Sequence, residues 1–181
     1  PSSWREPPPA PTAWSVLPRG PAPRTRHPRA WLAIPSIGVR ARWVVRYGGS
    51  PDDDRGTGYQ DRGYLASPVG PAGGAAPGEV GSFVVTGHRT SGGSPLLRLP
   101  DLRRGALVRV GFLGQVLTYR ITGGALVDSS RPGADALLAA AVPGRPGAVP
   151  TRATLTLITC ATIEDNARGD RYRDRHHNPR H

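Results

Sequence analysis

Short, strand-like apolar runs make up most of the chain after residue 28, and they limit its possible folds more than any other feature. Turn-forming Gly and Pro residues, 24 and 21 of the 181, are abundant between them. The runs predict strands at 29–34, 39–47, 64–69, 81–86, 106–112, 115–122, 124–128 and 151–160. So many short strands with little helix predict a mostly β fold, either a barrel or a sandwich.

Other segments complete the predicted layout. A helix is predicted at 132–141, because an alanine- and leucine-rich run follows Pro132, and the polar loop at 48–63 can hold a second, short helix. Residues 1–28 are rich in proline and arginine, which favours extended conformations, so we expect a linker or arm there. Residues 29–181 are long enough for one catalytic domain.

The formal net charge of +11 arises from 24 basic residues, all of which are arginine. A charge of this size suits nucleic acid, anionic lipid or an anionic wall polymer. The arginines are scattered, and no aromatic residues are interleaved with them as a single-strand binder needs, so we predict no nucleic-acid partner. The sequence contains no run of 18 apolar residues that could span a membrane. Because it starts at Pro1, we expect an anchoring segment upstream.

Two chemically reactive side chains stand at the ends of predicted strands. Cys160, the only cysteine, closes the run 154–160, and His88 comes near the end of the run 81–89. A thiol needs a proton acceptor or a positive neighbour to form a thiolate near neutral pH, and an imidazole can supply either. We therefore predict that Cys160 is a nucleophile and His88 its proton partner. The alternative is a structural cysteine that packs as a small apolar side chain.

The motifs around these two residues resemble those of the sortases, the cysteine transpeptidases that attach proteins to Gram-positive cell walls. Thr86-Gly-His-Arg89 ends one strand, and Thr156-Leu-Ile-Thr-Cys160 ends a later one. Trp31-Leu-Ala-Ile-Pro-Ser-Ile-Gly-Val39 is similar to the family's opening strand and turn. The resemblance runs from about residue 30 to the C-terminus. The arginine- and alanine-rich composition suggests an actinobacterial member of the class E type.

The resemblance implies a closed β-barrel with one or two short helices, and an enzyme that needs no cofactor. It implies that Cys160 attacks the Thr–Gly bond of a Leu-Pro-x-Thr-Gly or Leu-Ala-x-Thr-Gly sorting signal and forms a thioester, while His88 protonates the leaving amine. An amine of a peptidoglycan precursor, or a pilin lysine, then resolves the thioester. The implied partners are proteins that carry sorting signals. The implied state is a monomer, anchored at the extracellular face of the cell membrane.

An arginine that stabilises the tetrahedral oxyanion is also implied, at the start of a final strand beside the cysteine strand. The segment 161–181 is polar and offers no apolar run for such a strand, so we expect the chain to be truncated inside its domain. Arg173, thirteen residues after Cys160, is the predicted catalytic arginine. Arg180, or a residue beyond His181, is the alternative.

Hydroxyl side chains beside the two motifs are predicted to bind the substrate. Thr90 and Ser91 follow the histidine in a glycine-rich loop, and Thr159 directly precedes the nucleophile. No metal site is predicted, because the acidic cluster at 52–54 lacks the alternating ligands of a calcium loop.

Two other functions remain possible on the sequence. An L,D-transpeptidase also combines a histidine with a later cysteine in a β-rich wall enzyme, but its Ser-His-Gly-Cys-Ile/Val-Arg motif is missing around Cys160. The non-enzymatic alternative is a basic, wall-associated β-domain with a structural cysteine. The reactivity of the thiol separates this domain from an enzyme.

Overall fold

A computed structural model describes residues 17–51, 53–71, 73–128, 131–161 and 163. Within them lie seven strands: β1 (Ala30–Ile34), β2 (Val39–Gly48), β3 (Leu65–Val69), β4 (Gly81–Thr86), β5 (Leu107–Phe112), β6 (Gln115–Arg120) and β7 (Ala153–Ile158). The same part of the chain holds two α-helices and two 3-10 turns: α1 (Asp54–Asp61), α2 (Ala134–Leu138), Pro35–Ile37 and Leu99–Asp101.

The described strands form one mixed sheet in the order β6-β5-β1-β2-β3-β4-β7. β2 pairs with β3, and β4 with β7, in parallel, while the other neighbours are antiparallel. The sheet curls into a nearly closed barrel, with β6 and β7 at the two ends of this order. The predicted mostly β barrel with two short helices is confirmed.

Alternate residues of the strands fill the interior of the barrel. Five of the described strands contribute buried side chains to the main apolar cluster, and β1, β4 and β5 do so at alternate positions: Ala30, Leu32, Ile34, Phe83, Val85, Val108 and Val110. Side chains two residues apart lie on the same face of a strand, which explains this spacing. Each large apolar side chain that is fully buried in the cluster contributes about 1.5–3 kcal/mol to stability.

Two predicted elements differ from the structure. The strand predicted at 124–128 is absent: this segment pairs with no described strand, and Leu126 is 61% exposed. Its apolar residue Val127 instead packs on a second, smaller cluster formed by Val84, Leu138 and Ile158. The helix predicted at 132–141 is shorter and spans only Ala134–Leu138. The apolar run at 124–128 therefore packs on this cluster as a loop and not as a strand.

The described part of the predicted arm packs on the barrel. Thr25 donates a hydrogen bond from Oγ1 to the carbonyl of Arg46 in β2, at 2.7 Å, and Pro18 and Pro23 are buried. The predicted domain boundary at residue 28 remains a prediction. The expected absence of a final strand concerns residues that lie outside the described part. Among the described helices, none has the length and hydropathy needed to cross a membrane.

Candidate active site

The predicted nucleophile and its partner lie at the same edge of the sheet, because β4 and β7 are parallel neighbours. Thr86 stands opposite Ile158 in the register of this pair. One further hydrogen bond, from the Gly87 amide to the Ile158 carbonyl at 3.2 Å, extends the ladder beyond the strand ends. His88 and Cys160 follow two residues after the Thr86–Ile158 pair. The fold therefore brings these two residues, far apart in the sequence, to adjacent positions.

Both reactive side chains are shielded from solvent. His88 and Cys160 are each 8% exposed, and the cysteine is a free thiol. The hydroxyl of Thr159 donates to the Gly87 carbonyl at 2.8 Å, which ties together the two segments that carry them. Thr159 thus has a role in positioning the site, in addition to the substrate contact predicted for it.

Helix α1 contributes two side chains that the sequence analysis missed. The Asp61 carboxylate lies 2.8 Å from Nε2 of His88. The preceding residue, Gln60, is buried and donates from Nε2 to the Thr86 hydroxyl at 3.1 Å. Nothing local in the sequence indicates this pairing, because Asp61 precedes His88 by 27 residues within a segment predicted mainly as loop.

Arg89 is a third residue that the sequence analysis did not assign. Its side chain is buried, at 6% exposure. The guanidinium donates to the Leu97 carbonyl at 3.3 Å and to the Cys160 carbonyl at 3.5 Å. Arg89 therefore links the loop that follows the histidine to the backbone of Cys160. The signal available in the sequence was its position directly after His88, at the end of the motif Thr86-Gly-His-Arg89.

The loop after Arg89 forms one rim of the site. Thr90 and Ser91 are exposed there, and the amide of Ser94 donates to the Ser91 carbonyl at 2.7 Å. Gly92 has a φ of +55°, and a side chain at this position would crowd the Gln60 carbonyl and approach Cδ2 of His88 to 3.2 Å. The substrate contacts of Thr90, Ser91 and Thr159 remain predictions.

An apolar surface lies on the sheet next to the thiol. Val84 of β4 and Ile158 of β7 pack with Leu138 of α2, and Val127 covers part of this cluster. Ser82 and Thr156, one step further from the thiol on the same two strands, share a hydroxyl hydrogen bond of 2.7 Å. This surface of β4 and β7 is therefore apolar beside Cys160 and polar further from it.

The predicted oxyanion arginine cannot be placed. Arg173 and its alternative Arg180 both lie outside the described residues. Within the described part, no three His, Cys, Asp or Glu side chains come together as a metal site would require. Asp53 of the acidic cluster instead accepts a hydrogen bond from the Gly56 amide at the start of α1, at 2.7 Å.

Comparison with known proteins connects this geometry to one family. The model of the Sortase domain matches residues 32–175. Sortase E from Streptomyces avermitilis is 27% identical, with a TM-score of 0.58 over 77% of this chain and 84% of its own. Sortase E1 from Streptomyces coelicolor, solved with a tripeptide in the active site, is 22% identical, with a TM-score of 0.58 over 75% of this chain and 78% of its own. The SrtA sortase from Actinomyces oris shares the fold, at 22% identity and a TM-score of 0.58 over 77% and 72% of the two chains. A comparison with curated proteins found no match.

Proposed function

The chain belongs to the sortase family of cysteine transpeptidases, and we propose that it cleaves a sorting signal between Thr and Gly through a thioester on Cys160. The observation that carries this proposal is the parallel pairing of β4 with β7, which puts His88 and Cys160 at one edge of the sheet. The family assignment decides against the two alternatives, an L,D-transpeptidase and a domain without activity. The proposed signal is of the Leu-Pro-x-Thr-Gly or Leu-Ala-x-Thr-Gly kind.

The proposed reaction has two balanced steps. The Cys160 thiolate attacks the Thr carbonyl, and the tetrahedral intermediate collapses as the C–N bond to Gly breaks and the His88 imidazolium protonates the leaving amine. This step leaves a thioester and a neutral imidazole. An acceptor amine then attacks the thioester and gives up a proton to His88. The C–S bond breaks, and the new amide and the original thiolate–imidazolium pair are formed.

An arginine completes the proposed machinery. Each tetrahedral intermediate carries a negative oxygen, and a guanidinium is a strong hydrogen-bond donor for it. We keep Arg173 as the proposed donor, with Arg180 as the alternative. Arg89 is a poor candidate for this role, because its guanidinium already donates to the Leu97 and Cys160 carbonyls.

The proposed substrate groove lies over β4 and β7. The apolar cluster of Val84, Ile158 and Leu138 suits the small apolar residues of a sorting signal, and Thr90, Ser91 and Thr159 would contact its polar backbone. The tripeptide in the active site of the Streptomyces coelicolor sortase supports a peptide ligand here. The sortase E structure from Streptomyces avermitilis, at 27% identity, also supports a class E assignment.

The proposed partners and location follow from the family. The acyl donors would be proteins that carry a sorting signal, and the acceptor would be an amine of a peptidoglycan precursor or a pilin lysine. The enzyme would act as a monomer on the extracellular face of the membrane, where an anchoring segment holds it.

The test is transpeptidation between two short peptides. Fluorogenic Leu-Pro-x-Thr-Gly and Leu-Ala-x-Thr-Gly peptides are incubated with the protein and an excess of an amine acceptor, and the products are identified by mass. We expect cleavage between Thr and Gly and a ligated product. Cys160→Ala and His88→Ala should abolish both, and Arg173→Ala and Arg180→Ala, tested side by side, should show which arginine is needed. Cleavage that persists in Cys160→Ala would overturn the proposal.

A further inference from the structure

The carboxylate of Asp61 is bound to the imidazole of His88. The distance from Oδ1 of Asp61 to Nε2 of His88 is 2.8 Å, and the two side chains are 64% and 10% exposed. The histidine thus keeps a carboxylate on one nitrogen although the ring itself is nearly covered. A carboxylate accepts hydrogen bonds and does not donate them. In this contact, Nε2 must therefore be the nitrogen that carries the proton.

The fold fixes the position of this carboxylate through the neighbouring residue. Asp61 is the last residue of α1, and the adjacent Gln60 is buried and bound to Thr86 at the end of β4. The carbonyl of Gln60 accepts a hydrogen bond from the Gly63 amide at 2.9 Å, which ends the helix in a tight turn. The end of α1 is therefore attached to the strand that delivers His88, and the carboxylate and the imidazole are held by one framework.

The contact determines which imidazole nitrogen is available for chemistry. A neutral imidazole has one N–H and one lone pair, and a carboxylate bound to one nitrogen places the N–H there and the lone pair on the other. The same carboxylate stabilises the imidazolium form by a charge-assisted hydrogen bond. The carboxylate of a Ser-His-Asp triad acts on its histidine in this way.

We propose that Asp61 is a positioning residue for the catalytic histidine. It holds the proton on Nε2 of His88, leaves Nδ1 as the nitrogen that exchanges a proton with the Cys160 thiol, and stabilises the imidazolium of the ion pair. The reactive centre is then a Cys–His–Asp triad in which the carboxylate comes from α1. This inference rests on the proposed function for its kinetic consequence, while the assignment of the tautomer stands without it.

The first test observes the imidazole directly. Two-bond proton–nitrogen correlation spectra of the ¹⁵N-labelled protein distinguish the two tautomers of a neutral histidine. The His88 signals are identified by their loss in His88→Gln. We expect the Nε2–H tautomer in the wild type and in Asp61→Asn, which keeps an acceptor oxygen, and a mixture of tautomers in Asp61→Ala. An Nδ1–H tautomer in the wild type, or unchanged spectra in Asp61→Ala, would overturn the proposal.

The second test measures peptide cleavage by the same variants. We expect kcat to fall about tenfold in Asp61→Ala, and by less in Asp61→Asn, with KM unchanged, because the proposed role of the carboxylate is to act on the histidine. Its exposure keeps the expected effect modest. Asp101→Asn is the matched control, since Asp101 is a similarly exposed aspartate in an ion pair with Arg98. A kcat of Asp61→Ala equal to that of this control would contradict the proposal.

The two tests separate this inference from the proposed function. If the wild type cleaves no sorting-signal peptide, the proposed function fails, and the spectra still report the tautomer. If the wild type is active but the tautomer and kcat do not depend on Asp61, only the present inference fails. The melting temperature of each variant shows whether a loss of activity reflects unfolding.

Discussion

Arg89 contacts two separate backbone segments of the site. Its buried guanidinium donates to the carbonyls of Leu97 and Cys160. The neighbouring His88 carbonyl accepts a hydrogen bond from the Leu96 amide at 3.2 Å. These bonds hold the loop after His88 against the end of β7, so the arginine links the segments that carry His88 and Cys160.

Replacing this arginine tests its role. We expect Arg89→Ala to lose about 1–3 kcal/mol of unfolding free energy, because the Leu97 and Cys160 carbonyls lose a charged donor. Activity should fall with it, since the backbone of Cys160 is no longer tied to the loop. Chemical denaturation and peptide cleavage measure the two effects. Arg98→Ala, which removes an exposed arginine, is the control and should change neither. Wild-type stability in Arg89→Ala would show that the contacts are unimportant.

Gly92 and Gly93 form a matched pair in the rim of the site. Both have positive φ values, +55° and +77°, so alanine is strained at either position. Only at Gly92 would the added methyl group crowd the Gln60 carbonyl and approach His88, because nothing lies within 4 Å of the corresponding position at Gly93. The difference between the two variants therefore isolates the effect of crowding.

We expect Gly92→Ala to lower both stability and kcat more than Gly93→Ala does. Gly93→Ala should cost about 1–2 kcal/mol from backbone strain alone and retain most of the activity. Melting curves and cleavage rates of the two proteins provide the comparison. Equal losses in both would mean that the close approach to Gln60 and His88 has no consequence.

Helix α1 is the element that supplies the carboxylate bound to His88. Asp53 caps its first turn, since one carboxylate oxygen accepts from the Gly56 amide at 2.7 Å and the other from the Ser50 amide at 3.0 Å. The last turn of the helix carries Gln60 and Asp61 to the end of β4. A weakened first turn should therefore affect the site at the other end of the helix.

Removing the cap tests this connection. We expect Asp53→Ala to cost about 1 kcal/mol of stability, and Asp53→Asn, which can still cap, to cost less. The kcat of Asp53→Ala should fall, and KM should change little, because α1 contacts the histidine. Thermal unfolding and steady-state kinetics of the two variants measure this. A fully active Asp53→Ala with reduced stability would show that α1 is only a structural support.

Sequence patterns predicted the seven strands but also predicted a strand at 124–128 that the structure does not contain. The apolar runs of β1 to β7 carry their own signal, because each strand needs a period-two face that fills the barrel. The run at 124–128 carries the same local signal, yet it packs as a loop on Val84 and Ile158. Pairing of strands depends on partners that are distant in sequence. His88 and Cys160 were predictable from their motifs, whereas Asp61 reaches the site only through the placement of α1.

The molecule as a whole is a sheet that curls until β6 approaches the loop before β4. Tyr119 of β6 marks this closure, because its hydroxyl accepts a hydrogen bond from the Gly78 amide at 2.8 Å. Burial raises the pKa of Tyr119 above its usual value of 10.0, and the bond to Gly78 lowers it in part. The neutral phenol is thus the form that the folded protein favours.

Alkaline pH should therefore weaken the fold through this tyrosine. In the unfolded chain Tyr119 releases its proton near pH 10, and in the folded protein only at higher pH. Its contribution is fully present below about pH 10 and is lost as pH rises through the folded pKa. Urea unfolding from about pH 8 to about pH 11 measures the decline.

Tyr119→Phe provides the comparison for that decline. The variant should be less stable at neutral pH, by about 0.5–1.5 kcal/mol, because the Gly78 amide loses its acceptor. Its stability should then decrease less steeply than that of the wild type above pH 10. Parallel curves for the two proteins would contradict a raised pKa for Tyr119.

In the proposed mechanism, Cys160 is a nucleophile held beside His88 by the pairing of β4 with β7. Intact-protein mass spectrometry, after mixing with a Leu-Ala-x-Thr-Gly peptide and without an acceptor amine, tests this proposal by detecting the acyl-enzyme itself. We expect an added mass equal to the peptide acyl group, located on Cys160, absent from Cys160→Ala and strongly reduced in His88→Ala. An adduct that survives in Cys160→Ala, or no adduct together with a thiol inert to alkylation, would contradict it.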